Sequence, residues 1–336
     1  MEQALESGYY LAGFLSYEAG YTFEDRLRQD RQYDFPLICM GVYDAPMSAP
    51  LLPLSLPAKP HLKNLRLNIS QKKYFSSIET IRRYISDGDV YQITYCIKLL
   101  FDFLGSPRNL YSSLLKEQPV PYPAYIETDE FSILSLSPEK FLEKKSGFIS
   151  TKPMKGTWPR ADTLIADLLE RRRFSRDQKN RAENIMITDL LRNDLGRVGY
   201  GVSAPRLFEV ASYKTLYQMT STVIASLPKD IPLYRLLSSL FPSGSVTGAP
   251  KIRAMEIIRN LETEERRIYT GAIGYITPRK DLFLNIPIRT LLIRGGSGEM
   301  GIGGGIVWDS SAEGEWNEGL LKARFVTDLF GRAATF

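Results

Sequence analysis

Glu315, Glu318 and Lys322 lie three and four residues apart near the carboxyl end of this 336-residue chain. On a helix those spacings make neighbours, so two carboxylates and an amine share one face. The blander reading of Glu318 and Lys322 is an ordinary i,i+4 ion pair. Two lysines, Lys152 and Lys155, sit in T-K-P-M-K-G-T-W-P-R (151–160), and Glu139 sits in S-P-E-K (137–140). A lysine is a nucleophile only when deprotonated, which needs desolvation or nearby cations. A glutamate is a general acid only when its pKa is raised. Taken singly, these residues read as surface lysines and an exposed turn carboxylate.

Composition removes other chemistries. With one histidine, His61, and two cysteines, Cys39 and Cys96, a multi-histidine metal site and a cysteine zinc cluster are excluded. A Ser-His-Asp triad would depend on His61 alone. Scarce cysteine with 43% hydrophobic residues suits a reducing, cytoplasmic globular protein. The formal charge is +5, from 43 Lys+Arg against 38 Asp+Glu. The densest basic run, Arg171-Arg172-Arg173, is flanked by Glu170 and Asp177, so it reads as a solvated helix face and not a nucleic-acid track. A modest positive excess suits a small anionic substrate. No basic targeting region opens the chain, and no uncharged apolar run approaches the roughly 20 residues that span a bilayer. A soluble protein is expected, with neither nucleic acid nor membrane as partner.

The elements that must position these residues are read as follows. Residues 8–18 form an aromatic-rich strand, and the prolines between 44 and 61 mark an irregular connection containing His61. Ser70 caps a helix that Gly88 stops. Strands follow at 89–103, 122–126 and 131–136. The stretch 161–195 is helical, split into two by a capping box at Ser175-x-x-Gln178, and Gly196 closes the second helix. Strand-like segments occupy 207–227, helices 232–240 and 250–260, three strands 268–307, and a last helix 311–330. Strands in runs with helices between the runs favour α+β with antiparallel sheets.

Two glycine motifs are misleading. Gly296-Ser-Gly-Glu-Met-Gly301 matches G-x-G-x-x-G, but a strand-like segment follows it where a dinucleotide site needs a helix, so a hairpin turn is expected. Gly244-Ser-Val-Thr-Gly-Ala-Pro-Lys251 lacks the Walker spacing, though Pro250 would start a helix able to face an anion.

Five ordered segments concentrate Gly, Thr and charge: 137–140, 151–160, A-E-N-I-M-I-T-D-L-L-R-N-D-L-G-R (182–197), S-G-S-V-T-G-A-P-K (243–251) and the run 301–322. Together they resemble the chorismate-utilising enzymes, from about Lys72 to Asp328 and more weakly over residues 1–60, where S-Y-E-A-G (16–20) is similar to the family's amino-terminal part. The resemblance implies one chorismate-binding domain over 1–336, with a shortened amino-terminal part (1–60) and a catalytic core (70–330). The implied fold is two mostly antiparallel sheets packed as a sandwich with helices outside. It implies Lys155 as nucleophile and Glu139 as acid. Glu183, Glu318 and Glu315 are the implied Mg²⁺ ligands, a carboxylate set completed by water and substrate oxygen. The implied substrate contacts are Thr247, Gly248, Tyr269, Arg289, the amides of Gly303, Gly304 and Gly305, Lys322 and Gln218. Asp189, Arg192, Asn193 and Asp194 take a structural or subunit-contact role.

Within the family, Lys155 in Pro153-Met-Lys155-Gly-Thr157 is similar to the aminodeoxychorismate synthases, where anthranilate synthases carry Ala. That implies amination of chorismate at C4 through a covalent Lys155 intermediate, toward p-aminobenzoate and folate. The alternatives are anthranilate synthase component I and a non-catalytic chorismate-binding subunit. Gln218 stands where relatives often carry His, and it cannot shuttle a proton. A tryptophan pocket like that of longer relatives is not expected to be complete. With no Cys-His glutaminase pair to be read, ammonia is expected from a separate glutamine amidotransferase subunit.

Overall fold

The computed structural model describes residues 1–48, 60–213 and 216–328. Pro50, Pro53 and Pro57 of the expected irregular connection, and residues 329–330 of the expected last helix, lie outside the described residues.

Two sheets, of nine and seven strands, are built from antiparallel pairs. One apolar cluster lies between them, with Phe14 and Ile273 from the first sheet meeting Ile133 and Leu292 from the second. A second cluster packs the helix Gln178–Gly196 and the helix Leu233–Leu240 on the nine-stranded sheet. A third covers the seven-stranded sheet with the helices Gln71–Ser86, Lys251–Leu261 and Ala312–Thr327. The expected sandwich with outer helices is the observed architecture.

Local chemistry explains most boundaries. Ser70 accepts from the Lys73 amide and starts the helix Gln71–Ser86. Ser311 does the same for the helix Ala312–Thr327 through Gly314. The stretch 161–195 does split into two helices, but the cap differs. Asp177, not Ser175, accepts from the Asn180 amide at 2.8 Å, while the Ser175 hydroxyl donates back to Arg172. A carboxylate at the break satisfies the orphan donors better than a hydroxyl two residues too early.

The G-x-G-x-x-G match is a hairpin, as expected. Gly295 and Gly296 take φ of +53° and +82°, and the ladder pairs Arg294 with Ser297 across them. Such a two-residue turn needs left-handed conformations that glycine adopts freely. His61 is the exposed first residue of the strand His61–Leu67 and not part of an irregular connection.

One expected strand is really two. The run L-F-L-N-I-P-I-R-T-L-L-I breaks into Leu282–Asn285, in the nine-stranded sheet, and Thr290–Arg294, in the seven-stranded sheet. Pro287 cannot donate to a ladder, and Arg289 sits at φ +51°, so the chain leaves one sheet for the other between them. The strands Ser132–Ser137 and Lys140–Lys145 repeat the manoeuvre at Pro138-Glu139. Glu139 and Arg289 thus occupy two sheet-to-sheet crossovers.

Candidate active site

The two crossovers are tied to each other. The Ile286 amide donates to the Glu139 carbonyl at 3.0 Å, the Leu136 amide to the Arg289 carbonyl at 3.1 Å, and the Ser137 hydroxyl to the Ile286 carbonyl at 2.5 Å. This lashing holds the Glu139 side chain inward, only 4% exposed. Its carboxyl accepts from the Ser245 hydroxyl at 2.9 Å. Burial pushes its pKa up to about 7, against the opposing pull of Ser245 and Lys155. At neutral pH such a group still carries a proton to give. The Arg289 guanidinium is half-buried and makes no hydrogen bond or ion pair among the described residues; Tyr213 lies within its electrostatic reach, and Glu139 within that of Tyr213.

Lys155 lies on the strand Met154–Pro159, which pairs with Leu216–Ser226. Proline and glycine at 153, 156 and 159 hide this strand from a pattern reading. The Lys155 amine makes no hydrogen bond or ion pair among the described residues. Burial lowers its pKa, Lys322 lowers it further, and Glu139, Glu183 and Glu318 work the other way. For both Lys155 and Glu139, burial disfavours the charged form more than their mutual attraction restores it. Both are thereby shifted in the direction of the uncharged form, the form in which one attacks and the other protonates. The helping cation is Lys322 and not Lys152, which pairs with Glu209 at 3.4 Å.

The glycine run lies beside this pair. The strand Ser297–Ile306 pairs along its length with Gln92–Leu104, but its other neighbour, Thr290–Arg294, ends its pairing at Met300. One edge of Gly301–Ile306 is left without a strand partner among the described ladders. A Cβ at Gly304 would lie 3.0 Å from Glu315 Oε2, 3.5 Å from Lys322 Nζ and 3.7 Å from Glu318 Oε1. One at Gly305 would lie 2.6 Å from Gln92 Nε2 and 3.0 Å from Lys155 Nζ. Glycine at both positions keeps space open among the lysines and carboxylates.

That space identifies Gln92, which sequence reasoning missed. It is buried, and its Nε2 has no hydrogen-bond partner among the described residues. The available signal was a glutamine inside an otherwise apolar and aromatic strand, Q-I-T-Y-C-I, where an unpaired amide is costly. The Oε1 of Gln218 is likewise buried without a partner, on the strand that pairs with that of Lys155 and opposite Thr157.

The carboxylates expected to hold a metal are brought into mutual electrostatic reach. Glu183, on the helix Gln178–Gly196, is raised by burial and also by Glu318. Glu315 is raised by burial and accepts from Ser310 at 2.6 Å. Glu318 is lowered by Lys322, with which it pairs at 2.8 Å, and Lys322 also donates to the Gly303 carbonyl at 2.7 Å. Among the described residues, no group of three or more His, Cys, Asp or Glu is close enough to hold a metal ion by itself. Mg²⁺ commonly takes one or two carboxylates and completes its shell with water and substrate. The all-oxygen donors and the open cradle over Gly304 fit that pattern.

Other expected contacts sit further back. The buried Thr247 hydroxyl donates to the Ser243 carbonyl at 3.1 Å, and the Thr247 carbonyl accepts from Thr94 at 2.7 Å. Gly248 pairs with Ile93, beside Gln92. Both thus brace the Gln92 strand. The expected anion-facing end of the helix Lys251–Leu261 carries a lysine already bonded to Asp194 at 2.6 Å. Asp194 is therefore structural, and Asp189 and Arg192 form an exposed pair at 3.0 Å. Tyr269 is buried with its ring against Gly301, near Cys96 and within electrostatic reach of Glu139.

A family model described as chorismate binding enzyme matches residues 1–328. The chain belongs to the chorismate-binding enzymes. Relatives in that family include aminodeoxychorismate synthase component 1 of Klebsiella aerogenes, 35% identical over 332 residues, which cover 91% of this chain and 74% of that protein. Anthranilate synthase component 1 of Aquifex aeolicus is 35% identical over 79% of this chain and 54% of its own length. The crystal structure of anthranilate synthase component I from Streptococcus pneumoniae superposes with a TM-score of 0.82 at 27% identity, covering 94% of this chain and 79% of that one. This chorismate-binding chain therefore spans between about half and three quarters of these relatives' lengths. None of its described helices is long and apolar enough to cross a membrane.

Proposed function

We propose that this chain aminates chorismate at C4 with ammonia to give 4-amino-4-deoxychorismate, a step toward p-aminobenzoate and folate. The observation that carries this reading is that Lys155 and buried Glu139 lie within each other's electrostatic reach, with burial disfavouring the charged form of both. The names of several relatives, Klebsiella aerogenes and Escherichia coli among them, support it.

In the proposed reaction, Lys155 Nζ bonds to C2 of the ring, the ring double bonds shift, and the C4–oxygen bond breaks. Glu139 gives its proton to the departing oxygen, which leaves as water. Ammonia then bonds to C4, the double bonds shift back, and the C2–nitrogen bond breaks to release the Lys155 amine. The Glu139 carboxylate takes the proton that the incoming nitrogen sheds, so both residues return to their starting forms. Arg289 presents a forked donor to one substrate carboxylate. The Gln92 and Gln218 amides orient groups beside the ring. Glu183, Glu315 and Glu318 would hold Mg²⁺, which neutralises the second carboxylate when bound.

Ammonia would come from a separate glutamine amidotransferase. Cys96 is buried with its thiol pushed up to about 12, and the ladder places His61 opposite Leu104, roughly 25 Å along the strand at about 3.3 Å per residue. The test is direct: incubate the pure chain with chorismate, Mg²⁺ and an ammonium salt, and identify the product by mass. Aminodeoxychorismate is expected. Anthranilate would replace this reading with the other family activity, and no turnover would leave a binding subunit.

A further inference from the structure

We propose that the outward face of the helix Leu164–Arg176 is the docking surface for the ammonia-generating protein, a partner that offers an apolar patch rimmed by carboxylates. The identity of what is delivered rests on the amination reading above; the surface itself does not.

The helix is inverted relative to an ordinary surface helix. Only Asp167 and Phe174 are buried, while Leu164 and Ile165 are 76% exposed and Leu168 and Leu169 54% and 53%. At about 100° per residue, Ile165 and Leu169 fall opposite Asp167 and Phe174 together with Arg172 and Arg176, and Leu168 and Leu164 extend the apolar surface down one flank. A surface helix normally turns its aliphatic stripe inward. Four large aliphatic side chains together in water make the few-hundred-Å² patch that marks an interaction site. Leu207, 41% exposed, lies on the adjoining edge strand Tyr200–Ser212. That strand carries three register shifts against its neighbour, which discourages strand-to-strand docking and leaves recognition to the helix.

Charge defines the partner. Arg171, Arg172 and Arg176 are exposed and form no ion pair among the described residues, while Arg173 pairs with Glu170 at 2.5 Å. An apolar centre with an arginine rim is complementary to an acidic, apolar protein face.

Position identifies the cargo. The inner face of the helix is clamped to the strand that carries Lys155. Trp158 donates to Glu170 at 2.8 Å and stacks on Phe174 at 5.6 Å, and Arg160 meets Asp167 at 2.5 Å. A protein seated on the outer face thus bears, through this helix, on the strand that carries the reacting lysine. The co-substrate that this chain cannot make from its described cysteines and histidine is ammonia.

The test uses the full chain, the purified glutamine amidotransferase of the source organism, and an Ile165→Asp/Leu168→Asp variant. Both substitutions lie on an exposed face, and circular dichroism verifies the fold. Sedimentation should show the variant binding the amidotransferase at least tenfold more weakly. Glutamine-driven turnover at limiting partner should fall at least tenfold, with ammonium-driven turnover within twofold of wild type. Arg172→Glu/Arg176→Glu should weaken binding and flatten its salt dependence. Equal affinity of wild type and the aliphatic variant overturns the proposal. So does a wild-type homodimer that the variant breaks, or loss of binding to anionic vesicles with amidotransferase binding retained. If wild type binds the amidotransferase through this face yet does not aminate chorismate, the docking surface stands and the amination reading fails.

Discussion

Burial holds Lys251 and Lys155 below the ordinary lysine pKa, yet their surroundings differ. Lys251 donates to Asp194 at 2.6 Å and to the Leu240 carbonyl at 3.2 Å. Lys155 makes no bond among the described residues. The arginines repeat the contrast. Arg266, 2% exposed, donates to Glu262 at 2.7 and 2.9 Å, to the Val246 carbonyl at 2.8 Å and to the Thr94 carbonyl at 2.6 Å. Arg289 donates to none of the described residues. Around Arg266 and Lys251 each cation has its donors satisfied, and the result is a rigid junction between helix and sheet. Lys155 and Arg289 are instead desolvated and left unbonded among the described residues, a cost that a ligand can offset. Satisfaction, more than burial, separates the structural cations from those placed for chemistry.

Substitutions can break this contrast. The largest effect is expected for Lys155→Ala, which should lower turnover by on the order of 10⁴ or more while leaving melting unchanged or raised, because it removes an unpaired desolvated amine. Lys251→Ala should do the reverse: it strands Asp194 and costs about 3–5 kcal/mol by denaturant titration, with the rate per folded molecule retained. Equal loss of activity in both would erase the distinction.

Glu139→Gln comes next, lowering the rate by roughly 10²–10⁴. In wild type the rate at fixed free ammonia should fall as pH rises through about 7, since Glu139 must be protonated. The variant should lack that limb. The stability sign follows from the same shift. The folded pKa lies above the unfolded value of about 4.3, so the native state holds a proton that the unfolded chain releases. Stability therefore falls from about 4.3 up to about 7, and Glu139→Gln should flatten the curve there.

Arg289→Lys keeps the charge and loses the fork; the KM for chorismate should rise roughly 10–100-fold with little change in kcat. Arg266→Lys should instead lower stability with the KM retained. Gly305→Ala places a methyl against Gln92 and Lys155, and should cost roughly tenfold in kcat with melting little changed.

The sequence reveals these regions unequally. Ser70, Ser311 and the Gly295–Gly296 turn act through neighbours a few residues away, and their elements are where local patterns place them. The break at Asp177 was legible and its cap was not, because Ser175 also fits a capping pattern. The Lys155 strand escaped because prolines and glycines mask its alternation. The split at Pro287–Arg289 escaped because an apolar run does not say which sheet each half joins. Lys155, Glu139, Glu183, Glu318 and Lys322 were named through family resemblance. Their shared electrostatics depends on two sheets and two helices meeting, which no local spacing encodes. Gln92 was missed because its meaning lies in the empty position beside Gly305.

The central claim is that burial without a partner lowers the Lys155 pKa. Competitive acylation of the native protein across pH, with each lysine followed by mass spectrometry, reads this directly. Lys155 should titrate clearly below about 10.4, the ordinary lysine value. A Lys155 midpoint at or above that ordinary value would contradict the account.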